Sequence, residues 1–178
     1  MKLIFDHSSS IYNGQNPLIY LEAKRDNESA KFMFENGWVV YYKDNQEYWY
    51  QTQSSRLKIQ EISSKRKNQL SKIKISSHTE SKQIEIPSDL QLYNQGKFED
   101  FFFDDLFWGR ITYVEDQVLF SVMNEIKSKK SYGTLSFYYL LKKLINDYEY
   151  LYLADYFDIF NYKNKLQGFE YWDGNTWK

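Results

Sequence analysis

The chain contains no cysteine. That removes disulfides, thiolate nucleophiles, iron–sulfur clusters and Cys-based zinc sites together. Histidine is nearly as scarce, with only two residues, His7 and His78. Both stand in polar surroundings without a second ligand at metal spacing, so no metal site is expected. Long apolar runs are missing as well. Nothing approaches the roughly 20 apolar residues that span a bilayer. The opening MKLIFDHSSS does not read as a secretion signal. A soluble, cytoplasmic protein is the expectation. Net charge is close to zero, at -1, so any contact with nucleic acid must come from a local patch.

Aromatic residues make up 20% of the 178 residues, and 17 of them are tyrosines. Tyrosine combines apolar area with a polar tip, so the chain can build a core and still line a polar groove. The length fits one domain, or one domain with a small lobe.

Residues 2–6 and 18–23 read as short strands. Asp26 or Asn27 can cap a helix over 28–36, which Asn36-Gly37 ends in a left-handed conformation. Trp38–Lys43 and Glu47–Gln53 read as a hairpin around Asp44-Asn45. Arg56–Gln60 continues as a strand, and Ser63 starts a basic helix over 64–73. Ser76–Lys82 reads as a loop, 84–86 as a short strand, and Pro87-Ser88 opens a helix to about Gln95. Phe98, Phe101, Phe102 and Leu106 stand at helical spacing, which predicts a helix ended by Trp108-Gly109. Arg110–Val114 and Gln117–Met123 form a second hairpin. A helix over 134–146 follows, with its apolar stripe at Phe137, Leu140, Leu141, Leu144 and Ile145. Tyr148–Phe157 is the last long strand. Residues 117–157 thus form a strand–helix–strand unit, and the fold class is mixed α+β. Residues 1–75 read as an N-terminal lobe carrying a basic segment, and 76–178 as the main region of one compact unit. The closing aromatics, Phe169 to Trp177, read as core packing.

Three places could carry chemistry. Arg56–Lys74 holds Arg56, Lys58, Lys65, Arg66, Lys67, Lys72 and Lys74 against one acid, Glu61. The helix start at Ser63 adds backbone donors, and Tyr48, Trp49 and Tyr50 could stack on bases. The segment reads as a phosphate patch or as a solvated helix face. Lys127–Thr134 lies between strand and helix, and reads as an anion cradle or as an exposed connection. Asp155 and Asp158 stand at the end of the last strand, where open α/β sheets collect their active sites. A carboxylate there could orient an amine or simply end the strand. Tyr162 and Lys163 follow. The acidic run Glu99–Asp105 reads as an amphipathic helix rather than a metal site.

Several stretches together resemble one family, the arginyl-tRNA–protein transferases and related bacterial leucyltransferases. Asn36-Gly37-Trp38-Val39 resembles its L-x-x-G-W turn. Arg56-Leu57-Lys58-Ile59 followed by Ser63-Ser64-Lys65-Arg66-Lys67 resembles its basic R-I/V-x-V … P-S-R-S-Q-R-R motif. Tyr150–Tyr156 followed by Tyr162-Lys163-Asn164-Lys165-Leu166 resembles its Y-Y-Y-L-G-Y-Y … Y-K ending. Gly133-Thr134-Leu135-Ser136 is similar to the F-L-S-L-G helix start. Residues 75–110 match poorly, the family's cysteine motif has no counterpart, and Ala154-Asp155 replaces a small–aromatic step.

The resemblance implies a fold like that of the acyl-CoA N-acyltransferases (GNAT superfamily). It implies transfer of arginine or leucine from a charged tRNA to the N-terminal amine of a protein or peptide. The aminoacyl-tRNA is then the co-substrate, with no cofactor and no metal. It implies Asp155, Tyr162 and Lys163 in catalysis, and Arg56, Lys58, Ser63, Lys65, Arg66 and Lys67 on tRNA. Trp38, Tyr50, Tyr152 and Tyr156 would line the substrate pocket of a monomer. The alternatives are an acyl-CoA-dependent N-acyltransferase, which would ordinarily carry more glycine than Lys129–Thr134 does, and a non-catalytic tRNA-binding adaptor.

Overall fold

A computed structural model describes residues 2–4, 21–25, 27–43, 46–51, 54–78, 97–125, 131–155 and 163–178. For residues 2–4, 21–23, 43, 122–125 and 154–155 it describes the backbone alone. The described elements are β1 (Lys2–Ile4), β2 (Leu21–Lys24), α1 (Ala30–Glu35), β3 (Trp38–Lys43), β4 (Gln46–Gln51), β5 (Ser54–Lys58), α2 (Ser64–Leu70), β6 (Ile75–His78), β7 (Lys97–Phe103), β8 (Phe107–Val114), β9 (Gln117–Glu125), α3 (Tyr132–Leu144), β10 (Tyr150–Asp155) and β11 (Phe169–Tyr171). The class is α+β. The expected strand at 84–86 and helix to Gln95 lie outside the described residues.

The strands form two sheets. The smaller has the order β1-β2-β4-β3, and the larger β11-β5-β10-β9-β8-β7-β6. The smaller sheet uses residues 2–51 and the larger 54–171. So β5, read from sequence as part of an N-terminal lobe, pairs within the larger sheet, and α2 packs on it. In that sheet β9 and β10 run parallel, joined through α3. The other neighbours are antiparallel. The strand–helix–strand unit expected over 117–157 is therefore present.

Both faces of the larger sheet are covered, which explains its aromatic content. On one face α2 and α3 pack over Leu57, Phe101, Phe103, Ile111, Phe120, Leu151 and Leu153. On the other, α1 and the smaller sheet pack over Val114, Leu119 and Tyr152. Phe34 of α1 stacks on Tyr152 at 4.4 Å between ring centroids and meets Trp49 edge-on at 5.0 Å. Burying one such side chain contributes about 1.5–3 kcal/mol.

The segment 98–107 corrects the sequence reading, because it is strand to Phe103 and a turn over 104–106 into β8, and not helix. Phe101 and Phe103 face α3, while Asp100 and Phe102 point to the opposite face (registered with Arg110 and Trp108). A strand covered on both sides shows no clean alternation, and that made helical spacing look plausible. Trp108-Gly109 does not break the chain either. Gly109 lies inside β8, where a Cβ would stand 2.4 Å from the Phe101 ring. Residues 76–78, expected as loop, extend the sheet as β6.

Helix α1 starts later than expected. Ser29 caps it, its hydroxyl accepting from the Phe32 N–H at 3.1 Å. Glu115, from the β8–β9 turn, accepts the Ala30 N–H at 2.9 Å. At the other end Gly37 takes φ +78, as the Asn36-Gly37 pair implied. The last carbonyls of this end are all received. Trp177 Nε1 donates to Glu35 O at 2.9 Å, Gln51 Nε2 to Asn36 O at 2.6 Å, and Ser54 Oγ to Gly37 O at 2.7 Å.

Candidate functional site

The parallel pair positions the candidate site. Its registered pairs are Tyr152↔Leu119 and Leu153↔Phe120. Immediately beyond this point each strand carries an extra residue against its outer neighbour. On β9, Phe120 faces Ile111 and Val122 faces Arg110, so Ser121 is inserted. On β10, Leu153 faces Ser55 and Asp155 faces Ser54, so Ala154 is inserted. Bulges bend a strand and re-aim its backbone, and they gather next to active sites. Two of them stand at one level on the only parallel neighbours among the described strands, where the registered pairs of β9 with β10 end. Ser121 is itself buried, its hydroxyl sharing a 2.9 Å hydrogen bond with Thr112 and donating to Arg110 O at 3.3 Å.

Helix α3 begins at this same end of the sheet. Its N-cap residue, Ser131, makes no side-chain cap hydrogen bond. Tyr132 anchors the helix start, its hydroxyl donating to Asp104 Oδ2 at 2.5 Å. Asp104 in turn accepts the Lys74 N–H at 2.8 Å. The positive pole of the α3 dipole therefore lies at the C-terminal end of the parallel pair. Residues 127–130 of the expected anion cradle lie outside the described residues.

On the face away from α3, a polar row crosses three strands: His78 on β6, Asp100 on β7 and Arg110 on β8 are registered neighbours. Arg110 and Asp100 form a two-bond ion pair at 2.6 and 2.8 Å, each side chain about 1% exposed. The Phe98 ring covers the Arg110 guanidinium at 3.8 Å, and Trp108 lies at 5.5 Å. Phe102 meets His78 at 5.8 Å. These residues were missed in the sequence because 98–107 was read as a helix. Once it is a strand, the alternation Phe98, Asp100, Phe102 against Trp108, Arg110, Thr112 marks the row.

The structure distributes the sequence-derived candidates unevenly. Trp38, Tyr50 and Tyr152 do come together, all buried in the core between the two sheets. Burial pushes the Tyr152 phenol up to about 12, against the opposing charge of Arg56. Trp49 is fully buried as well, so it offers no face for stacking on a base; nor does Tyr50. Arg56 is taken: its guanidinium bonds Glu170 at 2.7 Å and is sandwiched between Tyr150 at 3.8 Å and Trp177 at 4.1 Å.

Arg56 therefore clamps β11 and the tail on one face of the sheet. Arg66 lies on the other face, stacked on Tyr138 of α3 at 4.6 Å and bonded to Gln69 at 2.8 Å. The sheet separates the two, so the basic motif is not one patch. Lys58, Lys65 and Lys67 are exposed, and Lys67 faces Glu61 at 3.8 Å. Ser63 caps α2 as expected. Lys163 is buried in a 3-10 turn, Lys163–Lys165. The backbone of Asp155 closes the pairing of β10 with β5. Tyr156, Asp158 and Tyr162 lie outside the described residues.

A depression of about 840 Å³ lies at the opposite end of the sheet between Glu99, Tyr113, Lys143, Asp147 and Tyr148. Glu99 receives Lys143 Nζ and the Tyr113 hydroxyl, the latter at 3.1 Å. Burial, then the Glu99 charge, pushes the Tyr113 phenol far above the ordinary tyrosine range. Among the described residues no group of three or more His, Asp or Glu side chains is placed to hold a metal ion. No described helix is long and apolar enough to cross a membrane.

No protein-family model, curated protein or solved structure matches the chain.

Proposed function

We propose that the protein is an N-acyltransferase that moves an amino acid, arginine or leucine by resemblance, from charged tRNA to the N-terminal amine of a protein or peptide. The observation that carries this reading is the parallel pair β9–β10, whose registered pairs end at Leu153↔Phe120 beside paired bulges at Ser121 and Ala154. A parallel pair that opens in the middle of a sheet lets donor and acceptor approach one carbonyl from opposite faces. The larger sheet is read as a GNAT-like fold on the same ground. The α3 start at the C-terminal end of the parallel pair supports the reading, since a helix N-terminus favours the anionic end of a donor.

The amine nitrogen attacks the ester carbonyl, a C–N bond forms, and the C–O bond to the terminal ribose breaks. The ribose hydroxyl leaves with the proton that the amine gives up. In this reading Asp155 orients the amine, and Tyr162 and Lys163 are the further residues assigned to catalysis. Arg66, with Lys65 and Lys67, contacts tRNA phosphates, while Arg56 holds the tail. An aminoacyl ester is already activated, so positioning supplies most of the acceleration. The reaction belongs in the cytoplasm, where charged tRNA is made.

The test is transfer of labelled amino acids from total charged tRNA to a peptide library, with labelled acetyl-CoA in a parallel reaction. Transfer from charged tRNA is the expected result. Label passing from acetyl-CoA alone would make the protein an acyl-CoA-dependent enzyme instead.

A further inference from the structure

The depression beside Glu99 plays no part in the transfer reading. Its volume of about 840 Å³ falls within the roughly 300–1,000 Å³ that small-molecule sites take. At its floor the buried Glu99 carboxylate is matched by Lys143 and accepts the Tyr113 hydroxyl. Its walls are the side chains of Phe98, Tyr113, Leu144 and Tyr148. Tyr113 and Tyr148 are ring neighbours, with centroids 6.3 Å apart.

The other charges of the lining are Lys97, Asp116 and Asp147. Among the described residues, neither of these two carboxylates has a hydrogen-bond or ion-pair partner. Both act on one group: burial, then the charges of Asp147 and Asp116, push the Tyr148 phenol above its ordinary range. With Glu99 balanced by Lys143, one acid is left over against Lys97. Helix α3 ends here at Leu144, with Asp147 just beyond, so its negative pole adds to the same field. The Lys97 ammonium lies 5.4 Å from the Tyr113 ring centroid, so that ring already carries a cation on its face. A divalent metal would want a third free carboxylate, and Glu99 is engaged by Lys143.

We propose that this cavity binds a small organic cation, an ammonium group carried on an apolar body. The ammonium sits between Asp116 and Asp147, at the Tyr148 hydroxyl. The body lies against Phe98, Tyr113 and Leu144, in place of the exposed Lys97 side chain, which turns to solvent. The Lys143–Glu99 pair forms a floor without net charge. An anion meets two free carboxylates and the helix pole, and is refused. The cavity and the end of the parallel pair lie at opposite ends of the sheet, so failure of either reading leaves the other in place.

The probes are phenethylamine, its neutral analogue 2-phenylethanol, its anionic analogue phenylacetate, and ethylamine, which lacks the ring. Calorimetry measures binding, and backbone amide shifts in a nitrogen-15 spectrum locate it. Phenethylamine should bind saturably and move the amides of residues 97–99, 113–117 and 143–148, which border the cavity. Ethylamine and 2-phenylethanol should each bind at least about tenfold more weakly, and phenylacetate should not bind. Asp116→Asn and Asp147→Asn, both at exposed positions, should each weaken the amine about two- to fivefold. Lys97→Gln should tighten it by about the same factor, since the competing cation is gone. Phenylacetate or 2-phenylethanol binding as tightly as the amine overturns the proposal, and so does an affinity that both aspartate variants leave unchanged. Magnesium chloride moving the same amides at lower concentration than the amine overturns it in favour of a metal site. Absence of a saturable shift in the millimolar range overturns it outright.

Discussion

Replacing Gly37 with alanine tests how the two sheets are joined. Gly37 holds φ +78, and an added Cβ would stand 2.4 Å from Cγ and Cδ1 of Trp172. A left-handed conformation costs an L-residue about 1–2 kcal/mol. Forcing a methyl group into packed ring atoms costs typically 1–3 kcal/mol more. The indole cannot easily retreat, since the Trp172 backbone N–H is bonded to Ser54 O at 2.9 Å and its ring packs on Trp177 at 5.6 Å. Gly37→Ala should therefore destabilise the protein by about 2–5 kcal/mol. For a chain of this size that is a fall in Tm of about 4–20 °C. Urea unfolding followed by tryptophan fluorescence measures it, and a Trp172→Ala background separates the causes. In that background only the backbone strain is left, about 1–2 kcal/mol. Equal losses in both backgrounds would refute the steric half of the reasoning. A neutral Gly37→Ala would refute both halves.

Three further outcomes follow from the same contacts. Asp100→Leu removes the two-bond acid partner of the buried Arg110 charge, and should cost about 3–5 kcal/mol, whereas Asp100→Leu with Arg110→Met should recover most of it; urea midpoints measure both. The Glu115 carboxyl is held below its ordinary range, first by the Ala30 N–H and then by Arg25. Its contribution is present above the unfolded value near 4.5 and lost as pH falls through the lowered one, so Glu115→Gln should flatten the acid side of the stability profile. Tyr139 and Tyr152 are each pushed up to about 12, chiefly by burial. That favours their neutral folded forms, so the contribution is present below pH 10 and fades as pH climbs toward 12. Tyr139→Phe with Tyr152→Phe should make unfolding less sensitive to alkali over that window.

Elements with a local signature were legible in the sequence. The stripe Phe137, Leu140, Leu141 and Leu144 located α3, and Ser63 located the start of α2, because a helix end and a helix face depend on near neighbours. The segment around Phe101 was not legible. Its face assignment depends on Gly109, eight residues away, making room for its ring, and on α3 covering one side. The basic motif illustrates the same limit for the site. Arg56 and Arg66 are ten residues apart in a run that reads as one patch. The strand alternation at Leu57, together with the docking of α2, sends them to opposite faces of the sheet. Pairs such as Asp100–Arg110 are visible only once the register is known.

The place of β5 in the larger sheet governs the order in which the protein can be assembled. It is the earliest of that sheet's strands to leave the ribosome, yet its partners on either side are β10 and β11, made about a hundred residues later. The donor to the Glu35 carbonyl, Trp177, comes 142 residues after its acceptor. During synthesis β5 therefore waits with both edges unpaired, and α1 with one of its final carbonyls unmet. Such edges invite pairing with other chains. A chain interrupted before residue 169 would leave β5 as the exposed edge of the larger sheet, the place that β11 otherwise takes.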